Sequence, residues 1–190
     1  MMWQSFKMSR LAIIKERLLS KKETMIFETE RLFVRRLQES DANLFFDLMS
    51  NPNVMSLIPQ TPFSKEKSDS ELTRLISIEQ TSNTKIWGLC EKTTNEFIGI
   101  SGFLKNNESE NEIAYRIREK HWNKGFGTEI AKGLLDFGFN KKNMELITAD
   151  VFIENVRSIK ILSKFFILQK EFFNNEDDCI DRRYVVKKEN

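Results

Sequence analysis

The chain has 190 residues, 40% of them hydrophobic and 31% charged, a balance that excludes disordered and fibrous classes and fits a domain with its own core. With 30 Lys plus Arg against 28 Asp plus Glu the net charge is +2, too small to indicate a nucleic-acid partner. No run approaches the roughly 18 apolar residues of a membrane span, and Cys90, Cys179 and the single His121 are too few for a disulfide framework or a zinc site. The expectation is a cytoplasmic protein without membrane or metal.

The first segment, residues 1–24, carries Lys7, Arg10, Lys15, Arg17, Lys21 and Lys22 against Glu16 and Glu23. It reads as a basic helix with Leu11, Ile14 and Leu18 on one face, an extension separable from a domain over residues 25–190. A strand is predicted from Arg31 to Leu37, and Ser40 and Asp41 then offer N-cap oxygens to a helix carrying Leu44, Phe45, Leu48 and Met49. Pro52, Pro59 and Pro62 mark one irregular loop, suited to contacting a substrate, before a second helix that starts near Ser64. Two strands, Lys85 to Glu91 and Phe97 to Phe103, form a hairpin, and a third runs from Glu112 to Ile117. A helix from Gly125 to Phe139, a strand from Leu146 to Val151 and a helix from Asn155 to Phe165 follow. Two strands, Leu168 to Phe172 and Arg183 to Val186, close the chain. The order β α α β β β α β α β β predicts an α/β fold with a mixed sheet and some parallel pairing.

All seven glycines lie between Gly88 and Gly138. Two of them sit in Trp122-Asn123-Lys124-Gly125-Phe126-Gly127-Thr128-Glu129, between a predicted strand and a predicted helix. The first amides of a helix have no internal partner and lie at the positive end of its dipole, so such a turn is a phosphate cradle. The same glycines also serve a plain tight turn. The string is no nucleotide P-loop, because no Lys-Ser or Lys-Thr follows, and no dinucleotide fingerprint, because the third glycine is missing.

Glu112-Ile113-Ala114-Tyr115, followed by the string from Trp122 to Ile130, resembles the acetyl-coenzyme A signature of the GNAT superfamily of N-acetyltransferases. Trp122 stands where the general pattern has Gln or Arg, which is similar to the branch of ribosomal-protein N-terminal (alanine/serine) acetyltransferases. Asn155-Val156-Arg157-Ser158 resembles that branch's Asn-x-x-Ser motif, and Glu28-Thr29-Glu30-Arg31-Leu32, with Val34-Arg35 and Asp41, resembles its opening. One departure stands out: the branch ends its second signature helix with Lys-Leu-Gly-Phe, whereas this chain reads Lys164-Phe165-Phe166-Ile167. A left-handed C-cap at a phenylalanine costs about 1 kcal/mol or more, so the resemblance leaves the last strands and part of the acceptor site unplaced.

The resemblance implies the GNAT fold and direct attack of an acceptor amine on the thioester of acetyl-coenzyme A, with no acyl-enzyme and no metal. It assigns the coenzyme to Ile117, Trp122, Asn123, Lys124, Gly125, Phe126, Gly127, Thr128 and Asn155, with a backbone amide of the strand from Ile113 to Ile117 for the oxyanion. Lys120, Lys124 or Lys160 add attraction for the phosphates. Ser158 protonates the leaving thiolate. Glu112 is the base, with Glu176 and Asp177 as rivals. His121 is expected to point to solvent or phosphate, and Cys179 to be a loop thiol. A protein α-amine of pKa about 7.7 to 8 asks less of a base than a lysine near 10.4, so the expected acceptor is a protein N-terminus, with a small-molecule amine as the alternative. A non-catalytic acyl-coenzyme A module and a monomer or homodimer stay open.

Overall fold

The computed structural model describes residues 24–189. The expected basic helix over residues 1–24 lies, apart from Thr24, outside the described residues.

The strand expected from Arg31 to Leu37 is shorter, running from Leu32 to Arg35, and a further strand precedes it. β1 (Met25–Glu28) and β2 (Leu32–Arg35) pair antiparallel, and the turn between them is tied by Thr29, whose N–H donates to the Leu32 carbonyl at 2.9 Å. After β2 come helices α1 (Ala42–Met49), α2 (Pro52–Met55) and α3 (Lys65–Ile78). Asp41 does not cap α1 with its side chain. Its carboxylate instead takes both arms of Arg35, at 2.8 and 2.6 Å, and the Gln38 amide at 2.9 Å. Ser64 does cap its helix, accepting from the Lys67 amide at 3.2 Å. Within the proline-rich loop, α2 is an unexpected single turn, begun by Asn51 as N-cap and Pro52 in the first helical position, where its missing N–H costs nothing.

Strands β3 (Lys85–Glu91), β4 (Phe97–Lys105) and β5 (Asn111–Ile117) follow, then α4 (Phe126–Lys141), β6 (Leu146–Phe152), α5 (Val156–Leu162), β7 (Ile167–Asn174) and β8 (Cys179–Lys187). The eight strands form one mixed sheet in the order β1-β2-β3-β4-β5-β6-β8-β7. Every neighbouring pair is antiparallel except β5 and β6. A core lies on each face: α4 and α5 cover one around Ile113, Ile117, Ile130, Leu134 and Ile147, and α1 to α3 cover the other around Phe33, Phe45, Leu48, Leu72 and Phe97.

Phe166 needs no left-handed backbone. It is absent from the positive-φ residues, and the amides of both Phe165 and Phe166 close onto the Leu162 carbonyl at 2.9 Å. The helix therefore tightens to a stop without glycine, and Phe166 drops into the core at 5% exposure. Among the described residues no helix is long and apolar enough to cross a membrane.

Candidate functional site

Two parallel strands that should lie side by side barely meet. β5 and β6 pair at a single position, Glu112 with Thr148, whereas β5 keeps β4 as its partner along its whole length, from Lys105 with Asn111 to Gly99 with Ile117. Arg118 donates its amide to Ile98 on β4 at 2.9 Å, and main-chain groups along an antiparallel strand alternate in side. The amides of Ile113, Tyr115 and Ile117 therefore face away from β4, into the opening beside β6. The Ile117 carbonyl on that side is taken by the Trp122 indole N–H at 2.7 Å.

Beyond the open end of β5 the chain turns into α4. Asn123 and Gly125 both adopt left-handed backbone, at φ 61° and 81°, and Gly125 is the N-cap residue with no side-chain cap. The first intrahelical bond runs from the Glu129 amide to the Gly125 carbonyl at 3.1 Å, and none of the amides from Asn123 to Thr128 meets an acceptor among the described residues. Consecutive orphan donors at the positive end of a 16-residue helix are the donor set an anionic pyrophosphate requires. The two glycines have different reasons. Gly125 supplies the positive φ, whereas a Cβ on Gly127 would come within 2.8 Å of Ile161 Cδ1, so Gly127 lets α5 pack against α4.

The turn is braced from far away in the sequence. Glu129, in the first turn of α4, accepts from the Arg31 amide at 2.7 Å, from Arg31 Nε at 2.7 Å and from Thr29 Oγ1 at 2.6 Å, and Arg31 Nη1 donates to the Lys124 carbonyl at 3.0 Å. The Arg31 guanidinium also stacks 4.9 Å over the Phe126 ring. The opening motif from Glu28 to Leu32 thus holds the turn's shape from outside it.

Along β5, side chains alternate between faces. Tyr115 points to the α5 side, where its hydroxyl lies 3.0 Å from Ser158 Oγ. Ser158 is fixed in turn: Asn155 Oδ1 accepts the Ser158 amide at 3.1 Å, and Asn155 Nδ2 reaches the Leu57 carbonyl at 3.1 Å. Burial pushes the Tyr115 phenol up to about 12 against the bond from Ser158. Glu112 leaves from the other face, beside Asp150, which grips the buried Arg183 at 2.8 and 2.6 Å. Burial first, and the Asp150 carboxylate second, push Glu112 up to about 8, while Arg183 pulls the other way. The opening therefore carries a hydroxyl pair on one face and a near-neutral carboxyl on the other.

At the mouth of the opening a cleft of about 510 Å³ is lined by Asn53, Leu57, Glu119, Trp122, Glu154 and Arg157, within the range of small-molecule clefts. Arg157 stacks 4.7 Å over Trp122. Glu119 holds the proline-rich loop, accepting from Asn51 and Asn53, each at 2.8 Å.

Other expected residues are placed differently. His121 does not face solvent: it is 4% exposed, neither ring nitrogen has a hydrogen-bond partner among the described residues, and burial lowers its pKa against the pull of Glu96. Lys120 is engaged by Glu96. Lys164, which sequence reasoning passed over, reaches the turn instead, at 3.4 Å from Thr128 Oγ1. Cys179 is no loop thiol: it opens β8, and burial and Asp181 push it up to about 12. Asp177 accepts from Gln60 at 3.2 Å and Glu176 lies exposed in the β7–β8 turn.

The model of the acetyltransferase (GNAT) domain matches residues 31–165. An uncharacterized N-acetyltransferase of Bacillus licheniformis, p20, is 34% identical over 148 residues, covering 75% of this chain and 82% of that protein. Among solved structures, an acetyl transferase of Salmonella typhimurium that modifies the N-terminal serine of ribosomal protein L7/L12 superposes with a TM-score of 0.73 at 16% identity, over 87% of this chain and 99% of that one. Spermidine N-acetyltransferase of Vibrio cholerae, in complex with CoA and spermine, gives 0.69 at 22% identity, over 83% and 95%. The chain belongs to the GNAT family of acetyltransferases.

Proposed function

From this membership, which makes the chain an acetyl-coenzyme A-dependent N-acetyltransferase, we propose that it acetylates the α-amine at a protein N-terminus by direct transfer. The observation that carries the reading is the placement of Glu112 and of the Tyr115–Ser158 pair on opposite faces of the strand opening. A thioester seated there meets the amine from the Glu112 face and sheds its sulfur toward the hydroxyls.

The donor set fits the coenzyme: the amides from Asn123 to Thr128 hold the pyrophosphate, Lys164 stands beside them, and the amides of Ile113, Tyr115 and Ile117 line the path of the pantetheine arm. An amide on this edge donates to the oxyanion as the carbonyl becomes tetrahedral. A hydroxyl with a pKa of about 12 stays protonated and donates a hydrogen bond to the departing thiolate. Ser158, bonded to it, completes the proton path. Glu112 receives the amine's proton. With its pKa at about 8, transfer from an α-ammonium of about 7.7 to 8 is close to balanced, whereas a lysine ammonium near 10.4 makes it uphill by about 3 kcal/mol. The likeness to an enzyme that modifies an N-terminal serine supports this acceptor. The likeness to a polyamine acetyltransferase favours a second reading, a small-molecule amine.

The test is thiol release from acetyl-coenzyme A with three acceptors: peptides with a free N-terminus, the same peptides blocked there but carrying lysine, and polyamines. The proposal expects kcat/KM at least about 10-fold higher for the free N-termini. A preference for polyamines selects the second reading.

A further inference from the structure

Most arginines drawn into the interior of this fold have a carboxylate. Arg35 meets Asp41 at 2.6 Å, Arg118 meets Asp47 at 2.7 Å and Glu96 at 2.8 Å, and Arg183 meets Asp150 at 2.6 Å. Arg116 does not. It sits on β5 two residues after Ala114, on the same face as Glu112, and its Nη1 lies 3.0 Å from Met49 Sδ and 3.6 Å from Met55 Sδ. No carboxylate stands within ion-pair distance of it among the described residues.

Thioether sulfurs are weak acceptors, and a guanidinium held against them without counter-charge is costly. Burial pulls its pKa down to about 10, while Asp177 and Glu71 favour the charge only from a distance. Even so it remains a cation at neutral pH. Among the described residues its Nε and Nη2 reach no acceptor, and neither is sealed from solvent. One edge of a planar fork, the edge that binds a carboxylate through two parallel bonds, thus remains available. Glu112 and Arg116 are four residues apart on one strand, about 13 Å between Cα atoms at 3.3 Å per residue. Their side chains share the face from which the amine arrives.

We propose that Arg116 binds a carboxylate carried by the acceptor, so that the substrate class is an amine with an acidic group close to it. This rests on the proposed transfer chemistry and adds the acceptor's charge. A polyamine sets a second cation against an unpaired first one, which disfavours it. The carboxylate has two chemical sources, an acidic residue next to the N-terminus of a peptide or the carboxylate of a free amino acid.

The experiment compares kcat/KM for two matched pairs: an N-terminal peptide with glutamate against glutamine at its second position, and a free amino acid against its amide. The wild-type chain is expected to favour the acid by about 10-fold or more in one pair, and that pair names the source. In Arg116→Met, a side chain suited to the thioether surroundings, the ratio falls to about one through a higher KM for the acid. Arg116→Lys keeps the charge but loses the fork and lies between. Unchanged coenzyme affinity in both variants shows that the fold is intact. A wild-type ratio of about one in both pairs, or a preference for polyamines, overturns the proposal while leaving acetyl transfer standing. If no amine is accepted, the transfer reading fails instead, and melting temperature decides this one. A rise with the acidic peptide that is lost in Arg116→Met supports it, and equal rises or none overturn it.

Discussion

The phenolic oxygen of Tyr115 on β5 and the hydroxyl of Ser158 on α5 lie 3.0 Å apart, joining the strand that lines the opening to the helix that closes it. If this pair serves the leaving thiolate, its members act as one unit. Ser158→Ala and Tyr115→Phe should each lower kcat by about 100-fold, and the double variant by little more than either. Acetyl-coenzyme A affinity, measured by calorimetry, should stay within about threefold. Additive losses in the double variant would show that the two hydroxyls work separately.

Gly125 combines a left-handed backbone with a place among the orphan amides. Gly125→Ala should cost about 1 to 2 kcal/mol of stability from the positive φ and weaken coenzyme binding modestly. Gly125→Asp adds a carboxylate beside the phosphates and should weaken binding further, by about 10-fold relative to the alanine variant. Calorimetry on both variants separates backbone strain from charge.

The brace on the turn is testable from a distance. Glu129→Ala removes the acceptor of Arg31 and Thr29 and should loosen the turn, raising the coenzyme dissociation constant without changing the pH dependence of turnover. Burial works against the Glu129 carboxylate, but the donors of Thr29 and Arg31 prevail and lower its pKa. Its contribution to stability is therefore present above the unfolded-state value of about 4.5 and is lost as pH falls through the lower folded value. On acidification below about pH 4.5 the wild type should therefore lose more stability than Glu129→Ala, and the gap between the two proteins should narrow.

Glu112 has the opposite sign. Its folded pKa is raised from 4.5 to about 8, so the fold binds a proton that the unfolded chain has released, and stability falls as pH rises between those values. Turnover should climb through about pH 8 as the carboxylate forms. In Glu112→Gln both effects vanish: the melting temperature becomes flatter across this window, and the rate falls by about 100-fold. A Gln variant that keeps the wild-type rate would remove Glu112 as base and turn attention to Asp177.

Much of this was legible in the residues. The turn between β5 and α4 stood out because two glycines separate a strand pattern from a helical one, and Ser64 announced its helix. β1 was not legible, because four residues from Met25 to Glu28 give no alternation long enough to count and the hairpin turn is held by a threonine rather than by glycine. Nor was α2, although Asn51-Pro52 carried a cap and a first-turn proline. Tyr115 could have been found, since alternation along β5 puts it on the face of Ile113 and Ile117, toward the helix that carries Ser158. Arg31 with Glu129 could not, because that contact joins residues 98 positions apart and is decided by how the first hairpin lies against α4. Arg116 was equally silent, since an unpaired cation is recognised only when its surroundings are known.

The most direct test of the central claim is a single-turnover measurement on the whole chain with acetyl-coenzyme A, an N-terminal peptide in excess and mass analysis of every species. Direct transfer predicts that peptide acetylation and free thiol appear together in equal amounts, that neither appears without the peptide, and that no acetyl group is ever found on the protein. An acetylated protein formed before the peptide is added, or coenzyme bound with no thiol released for any amine, would contradict it.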